Sequence, residues 1–153
     1  MKDRRRETWA EPIYLDASAL MKLLVQEPDS DTLNQSLVGV EDVILSDLAL
    51  TEMASALGRR TREGRLTSAE ARRLHREAHR LTKSCRRAEL TPPAHRRAEH
   101  LLLTSTEVPL RALDALHVAL ALDAGAATFV TYDHRLRDAA MAQKLFIAPK
   151  LRS

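Results

Sequence analysis

Short runs of apolar residues alternate along the chain with longer segments in which apolar residues recur every three or four positions. The short runs, several of them rich in β-branched residues, are typical of strands buried on both faces of a sheet. They lie at Ile13–Leu15, Val43–Leu45, Thr128–Thr131 and Leu145–Ile147, with Ala88–Leu90 as a weaker fifth candidate. Because strands alternate with helices, the pattern predicts an α/β fold with a parallel sheet covered by helices on both faces.

Helical periodicity and capping residues predict seven helices between and after these strands. The predicted helices cover Ala17–Val25, Ser30–Leu37, Asp47–Arg62, 68–83, 92–103, Ala112–Ala124 and Asp138–Gln143. Thr67 and Glu70 have the spacing of a capping box, which marks the start of the fourth helix. We therefore expect a three-layer α/β/α arrangement with a single domain at residues 12–150, preceded by a flexible N-terminal arm at residues 1–11.

Composition narrows the class of protein. The 153 residues, of which 44% are hydrophobic and 29% charged, are typical of one soluble globular domain. No apolar stretch reaches the roughly 18 residues that a membrane span needs, and the basic N-terminus lacks the apolar stretch of a secretory signal. The single cysteine, Cys85, excludes an internal disulfide. We therefore expect a cytoplasmic protein that does not cross a membrane.

Positive charge is concentrated in the middle of the chain. The formal net charge is +3 and the sequence pI is near 9.3. The clustered basic residues are Arg59, Arg60, Arg62, Arg65, Arg72, Arg73, Arg76, Arg80, Lys83, Arg86 and Arg87. Such clustering is typical of proteins that bind a phosphate backbone, although interspersed glutamates also fit a solvated helix face. An aromatic content of 3% argues against extensive base stacking.

Four carboxylates stand in unexpectedly apolar surroundings. Asp16 and Asp133 each end an apolar run, whereas Glu52 and Asp114 lie within largely apolar helical stretches. A carboxylate in such surroundings is costly unless it is paired or binds a metal. Since the carboxyl ends of parallel strands and the first turns of the following helices meet at one edge of a sheet, we expect all four in one pocket. Oxygen ligands of this kind favour a hard divalent cation such as Mg²⁺ or Mn²⁺.

Each of these acids also has a purely structural interpretation. Asp16 and Asp133 stand where an aspartate can cap a helix. Glu52 can pair with a lysine or with an arginine such as Arg111, and Asp114 can face solvent on its helix. His117 lies one helical turn after Asp114, and we interpret it as a hydrogen-bonded core residue rather than a catalytic base.

The segments around the four acids resemble the PIN-domain nucleases, and within them the VapC-type toxins of bacterial toxin–antitoxin pairs. The matching stretches are Tyr14–Leu20, Ser46–Glu52, Leu110–His117 and Val130–Asp133, and the likeness extends from Pro12 to Pro149. The resemblance implies an endoribonuclease that depends on Mg²⁺ or Mn²⁺, with a parallel sheet of about five strands. One departure is Lys144, which stands where the family usually has a glycine before the last strand.

The resemblance also implies roles for single residues. Asp16, Glu52 and Asp114 match the three acidic metal ligands, and Asp133 matches a fourth acidic position whose metal contact can run through water. Ser18 matches a small hydroxyl residue beside the first aspartate, which can donate a hydrogen bond to it.

The partners implied by the resemblance are an RNA substrate, a cognate VapB-type antitoxin and a second copy of the chain in a homodimer. We expect the apolar surfaces of the helices at Ser30–Leu37 and Leu48–Leu57 to receive the antitoxin. Two alternatives stay open: a PIN-domain RNA-processing nuclease without an antitoxin, and a PIN-like module that binds RNA or protein without turnover. A receiver-type phosphotransfer domain is disfavoured because only one acid, Asp16, follows the first strand.

Overall fold

The structure, a computed structural model, describes residues 7–150, which form five strands and seven helices. In chain order these are β1 (Ile13–Leu15), α1 (Ala17–Leu24), α2 (Ser30–Leu37), β2 (Val43–Ser46), α3 (Asp47–Arg62), α4 (Ser68–Thr82), β3 (Arg86–Ala88), α5 (Pro92–Thr104), α6 (Ala112–Asp123), β4 (Thr128–Val130), α7 (His134–Ala142) and β5 (Phe146–Ala148). No helix in this part of the chain is long and apolar enough to cross a membrane.

The five strands form one sheet in the order β3-β2-β1-β4-β5, and all neighbouring pairs are parallel. Tyr14, in the middle of the central strand β1, lies opposite Ile44 in β2 and Phe129 in β4. The chain builds the sheet outward in one direction from β1 to β3 and in the other direction from β4 to β5. The topological switch therefore lies between β1 and β4, where open α/β sheets form their binding crevice.

The core has two parts, one on each face of the sheet. Because successive strand residues point to opposite faces, Ile13 and Leu15 join the cluster formed with α1 to α4, whereas Tyr14 joins the cluster formed with α5 to α7. All three residues are at most 1% exposed. This arrangement confirms the predicted three-layer α/β/α fold with a parallel sheet.

Two elements differ in position from their sequence-based prediction. Helix α7 begins at His134 rather than at Asp138, because the Asp133 side chain caps it by accepting from two backbone N–H groups. Strand β3 begins at Arg86, two residues before the predicted start. It is an edge strand whose first two residues are exposed, so it lacks the apolar run that marks a buried strand.

The described part of the predicted N-terminal arm packs against the domain. The side chain of Trp9 is only 7% exposed, and the Thr128 hydroxyl donates to the backbone oxygen of Ala10 over 2.7 Å. The Glu11 carboxylate accepts two backbone N–H groups from the segment before β2. Residues 1–6 lie outside the described residues, so the division into arm and domain stays a prediction.

Lys144 has a backbone conformation that suits glycine, the residue that the resemblance implies at this position. Its φ is 61°, in the left-handed region, between α7 and β5. A side chain costs free energy there and glycine does not. We expect Lys144→Gly to raise the free energy of unfolding by about 0.5–1 kcal/mol, since the greater entropy of unfolded glycine offsets part of the gain.

The measurement for this variant is urea denaturation. The matched control is Ala142→Gly in the last turn of α7, which should lower stability by roughly 0.5–1 kcal/mol. A loss of stability in Lys144→Gly would contradict the expectation.

Candidate functional site

All four acids singled out in the sequence line one pocket of about 540 Å³ beside the switch point of the sheet. Asp16 directly follows β1, and Asp133 lies between β4 and α7. Asp114 comes from the first turn of α6. Glu52 is the sixth residue of α3, so the expectation that it lies in the first helical turn is wrong by one turn. Strand ends and helix starts thus bring residues that are far apart in sequence to one place.

Asp16 is buried, and both of its carboxylate oxygens accept hydrogen bonds. It is 2% exposed. Its Oδ2 accepts from Thr131 Oγ1 at 2.6 Å, and its Oδ1 accepts from Ser18 Oγ at 2.7 Å and from Ala19 N at 2.9 Å. Burial raises the pKa of Asp16, and these hydrogen bonds oppose the rise only in part. The residue therefore caps α1, as the structural interpretation has it, and also faces the pocket.

Asp114 and Asp133 face the same pocket and repel each other. Asp114 is 8% exposed and accepts from Arg111 N at 3.3 Å. Its pKa is raised mainly by burial, and the charge of Asp133 raises it further. Asp133 is exposed and caps α7 by accepting from Arg135 N and Leu136 N. A cation placed in the pocket would relieve this repulsion.

Glu52 pairs with a histidine and not with an arginine. Its carboxylate contacts Nε2 of His117, which is 2% exposed, and the Tyr14 hydroxyl lies 2.7 Å from Nδ1 of the same ring. Because a carboxylate only accepts, the proton of this contact belongs to Nε2, and in the neutral ring Nδ1 accepts from Tyr14. His117 is thus the buried, hydrogen-bonded core residue that the sequence predicts, and it also holds Glu52.

Thr131 is a site residue that the sequence reasoning missed. It is fully buried, its hydroxyl donates to Asp16 and the same oxygen accepts from Asp133 N at 3.0 Å. Ser18 behaves similarly, since its oxygen accepts from Tyr132 N at 2.9 Å while donating to Asp16. A hydroxyl residue two positions before Asp133, inside an otherwise apolar run, is the signal that could have identified Thr131.

The donor set of the pocket fits a hard divalent cation, because all four acids supply carboxylate oxygens. Within residues 7–150, however, no three His, Cys, Asp or Glu side chains form a group able to hold a metal as they stand. Glu52 is turned toward His117. The pocket therefore concentrates suitable ligands without arranging three of them around one point.

Basic side chains also line the pocket. Lys22, Arg59 and Arg60 all line it. Lys22 and Arg60 are paired with Glu27 over 3.5 Å and 2.5 Å, whereas Arg59 is exposed. The pocket thus combines carboxylates with cations that an anionic polymer can contact.

The core uses part of the surfaces expected to receive the antitoxin. Leu33 of α2 and Met53 of α3 are buried there. Part of the predicted α3 surface nevertheless stays open beside α4, and this apolar surface is lined by Ala54, Leu57, Gly58, Ala71, Arg72, His75 and Arg76. Its role as an antitoxin site stays a prediction.

Comparison with known proteins agrees with this architecture. The sequence model of the PIN domain matches residues 13–141. Ribonuclease VapC49 of Mycobacterium tuberculosis is 33% identical over 139 residues, which cover 90% of this chain and 94% of the relative. Ribonuclease VapC46 of the same organism is 37% identical over 133 residues, 84% of this chain and 89% of the relative.

Solved structures show the same fold. VapC20 of Mycobacterium tuberculosis, described as a Sarcin-Ricin loop cleaving toxin, has a TM-score of 0.67 at 21% identity and covers 83% of this chain and 94% of its own. FitAcB from Neisseria gonorrhoeae has a TM-score of 0.68 at 18% identity, and the match covers 88% of this chain and 95% of that chain. Together, the family match and the identity to the curated relatives show that this chain belongs to the PIN domain family and, within it, to the VapC ribonucleases.

Proposed function

We propose that this protein is the toxin of a toxin–antitoxin pair and a cytoplasmic, metal-dependent endoribonuclease that hydrolyses RNA phosphodiester bonds in the acidic pocket. One observation carries the proposal: in a chain of the VapC ribonuclease family, four carboxylates that are distant in sequence line a single pocket. A purely structural role would not require all four to face the same space, because their capping and pairing interactions are separate.

In this proposal Asp16, Glu52 and Asp114 would hold Mg²⁺ or Mn²⁺, with Asp133 as a fourth acidic residue beside them. Such an ion, when bound, would supply an acidified water and neutralise charge on the phosphate oxygens. Ser18, together with Thr131, keeps the Asp16 carboxylate oriented toward the pocket through the hydrogen bonds described above. The raised pKa values of Asp16 and Asp114 support the assignment, since both carboxylates gain from a nearby cation.

The basic side chains of the pocket would position the RNA backbone. Arg59 is exposed, and Lys22 keeps its ammonium group beside the pocket while paired with Glu27. Contacts of this kind to phosphate fix the position of the strand and do not read its sequence.

An antitoxin and a second copy of the chain complete the proposal. VapBC2 from Rickettsia felis, solved with a DNA fragment from its promoter, shares the fold with a TM-score of 0.63 at 14% identity. We infer that this chain also has a VapB-type antitoxin. The open apolar surface between α3 and α4 is one site where an amphipathic segment of the antitoxin would bind. Coexpression with a candidate VapB-type antitoxin, followed by size-exclusion chromatography with light scattering, tests both the complex and the homodimer.

Metal removal should abolish the activity. Purified, antitoxin-free protein is expected to cut total RNA into discrete fragments with Mg²⁺ or Mn²⁺, to cut nothing in EDTA, and to recover when excess metal is restored. Gel electrophoresis with end sequencing of the fragments is the measurement. Cleavage that is unchanged by EDTA would exclude the metal-dependent mechanism, and absence of cleavage by folded, metal-binding protein would favour a binding module.

A further inference from the structure

A second pocket, of about 310 Å³, adjoins the acidic pocket. The two pockets share the side chains of Lys22 and Tyr132 in their linings. The second pocket is called the Arg137 pocket below, and its other lining residues include Trp9, Thr32 and Arg137. None of these five residues belongs to the set of four acids, so the function proposed above leaves the pocket unexplained.

Arg137 is a buried cation that lacks an anionic partner. The residue is 7% exposed. Within residues 7–150, the only hydrogen bond of its side chain runs from Nη2 to the backbone oxygen of Pro149 over 2.7 Å, and no carboxylate forms an ion pair with it. A guanidinium has five N–H donors, and burying it without acceptors is costly. The guanidinium of Arg137 therefore has N–H donors that are free to bind a ligand in the pocket.

A second polar group in the pocket is also unsatisfied. Thr32 Oγ1 is buried and has no hydrogen-bond partner in the described part of the chain. Buried hydroxyls normally find a partner. Arg137 of α7, with unused guanidinium donors, and Thr32 of α2, with an unpartnered hydroxyl, thus line the same small space, which points to a ligand with oxygen acceptors.

The remaining lining distinguishes among such ligands. The ring of Tyr132 lies at the border of the two pockets, with Lys22 Nζ 4.8 Å from its centroid, and the indole of Trp9 forms part of the wall. Two carboxylates, Asp29 and Glu7, also line the pocket. A simple anion gains nothing from carboxylates or aromatic rings, whereas a nucleotide offers phosphate and keto acceptors, amino donors and a flat base.

We propose that the Arg137 pocket binds one nucleotide of the RNA substrate, next to the phosphodiester that is cleaved. The Arg137 guanidinium and the Thr32 hydroxyl bond its phosphate or base oxygens, and the aromatic walls contact the base. The proposal rests on the function proposed above, because the adjoining acidic pocket is taken as the cleavage site. It favours RNA over an acidic protein segment because the two pockets share Lys22 and Tyr132 in their linings.

The single tryptophan makes occupancy of the pocket directly measurable. Trp9 is the one tryptophan of the chain, so intrinsic tryptophan fluorescence reports on this pocket alone. The probe is a random-sequence RNA hexamer with Mg²⁺, titrated into the Asp16→Asn protein so that the RNA stays intact. We expect a saturable change in Trp9 emission, with an apparent Kd about 10-fold higher when Arg137→Gln is added.

Two further variants control for folding and for charge. Arg135→Gln removes one exposed positive charge from the same helix and should leave the Trp9 titration unchanged. Thr32→Val removes the orphaned hydroxyl at nearly constant volume, so it should fold even if Arg137→Gln does not. We expect Thr32→Val to raise the apparent Kd for the RNA hexamer by about 3-fold. In an otherwise wild-type active enzyme, Arg137→Gln should raise KM for RNA while kcat changes little.

The outcomes separate this proposal from the function on which it rests. If the wild-type protein cleaves RNA but Trp9 emission does not respond to bound hexamer, or if Arg137→Gln and Thr32→Val leave both Kd and KM unchanged, the nucleotide site is wrong. A stronger Trp9 response to a glutamate-rich peptide than to the hexamer would also overturn it and assign the pocket to a protein partner. An Arg137-dependent response to RNA in a protein that never cleaves would support the site and contradict the nuclease.

Discussion

Replacing Asp16 by asparagine is expected to abolish RNA cleavage while leaving the fold intact. The change removes one charge and almost no volume, and the amide oxygen can still accept from Ser18 and Ala19. Loss of a carboxylate that holds the metal should lower kcat/KM by at least about 100-fold, the scale of losing one strong electrostatic interaction with a transition state. The same change is not expected to lower the stability of the protein.

Burial raises the pKa of Asp16 above its ordinary value. The folded protein therefore binds a proton at this group more readily than the unfolded chain, and ionised Asp16 lowers stability as pH rises above the unfolded pKa. Since asparagine carries no charge, Asp16→Asn in EDTA at neutral pH should have a Tm equal to or above that of the wild type. Added Mg²⁺ or Mn²⁺ should raise the wild-type Tm more than that of the variant.

Cleavage of total RNA and thermal unfolding, each with and without metal, are the measurements for Asp16→Asn. The matched control is Asp31→Asn, which makes the same change on the exposed surface of α2 and should leave both activity and metal response unchanged. Full, metal-dependent activity in Asp16→Asn would remove this residue from the site.

Replacing His117 by alanine is expected to cause the largest loss of stability among single changes near the pocket. His117 is buried and contacts both Tyr14 and Glu52. The variant leaves a cavity and also leaves the fully buried Tyr14 hydroxyl without its 2.7 Å partner. Together these should lower the free energy of unfolding by about 3 kcal/mol.

A double-mutant cycle with Tyr14→Phe isolates the hydrogen bond from the cavity. Tyr14→Phe alone should cost about 1 kcal/mol, and combined with His117→Ala it should add little, giving a coupling of about 1 kcal/mol. Urea denaturation of the four proteins is the measurement, with His95→Ala on the exposed face of α5 as the control, expected within about 0.5 kcal/mol of the wild type. Additive losses would show that the hydroxyl and the ring do not interact.

The sequence by itself determined the order and type of nearly all elements, because short apolar runs and helical periodicity reflect which face of each element must be buried. It also determined that four acids would share a pocket. Asp16 and Asp133 each follow a strand of a parallel sheet, and the carboxyl ends of such strands lie at one edge. The tertiary structure decided that β1 and β4 are neighbours. The apolar pattern is weak in a strand that is largely exposed. For this reason the predicted start of the edge strand β3 lies two residues after the observed one.

Only the tertiary structure decided which side chains touch. Glu52 meets His117 and not an arginine, and Thr131 bridges Asp16 and Asp133, because distances between side chains depend on how distant segments pack and not on local spacing. The Arg137 pocket is the strongest case. Its walls come from residues before β1, from α2, from the segment after β4 and from α7, so no pattern along the chain could reveal a cavity that exists only when those segments are packed together.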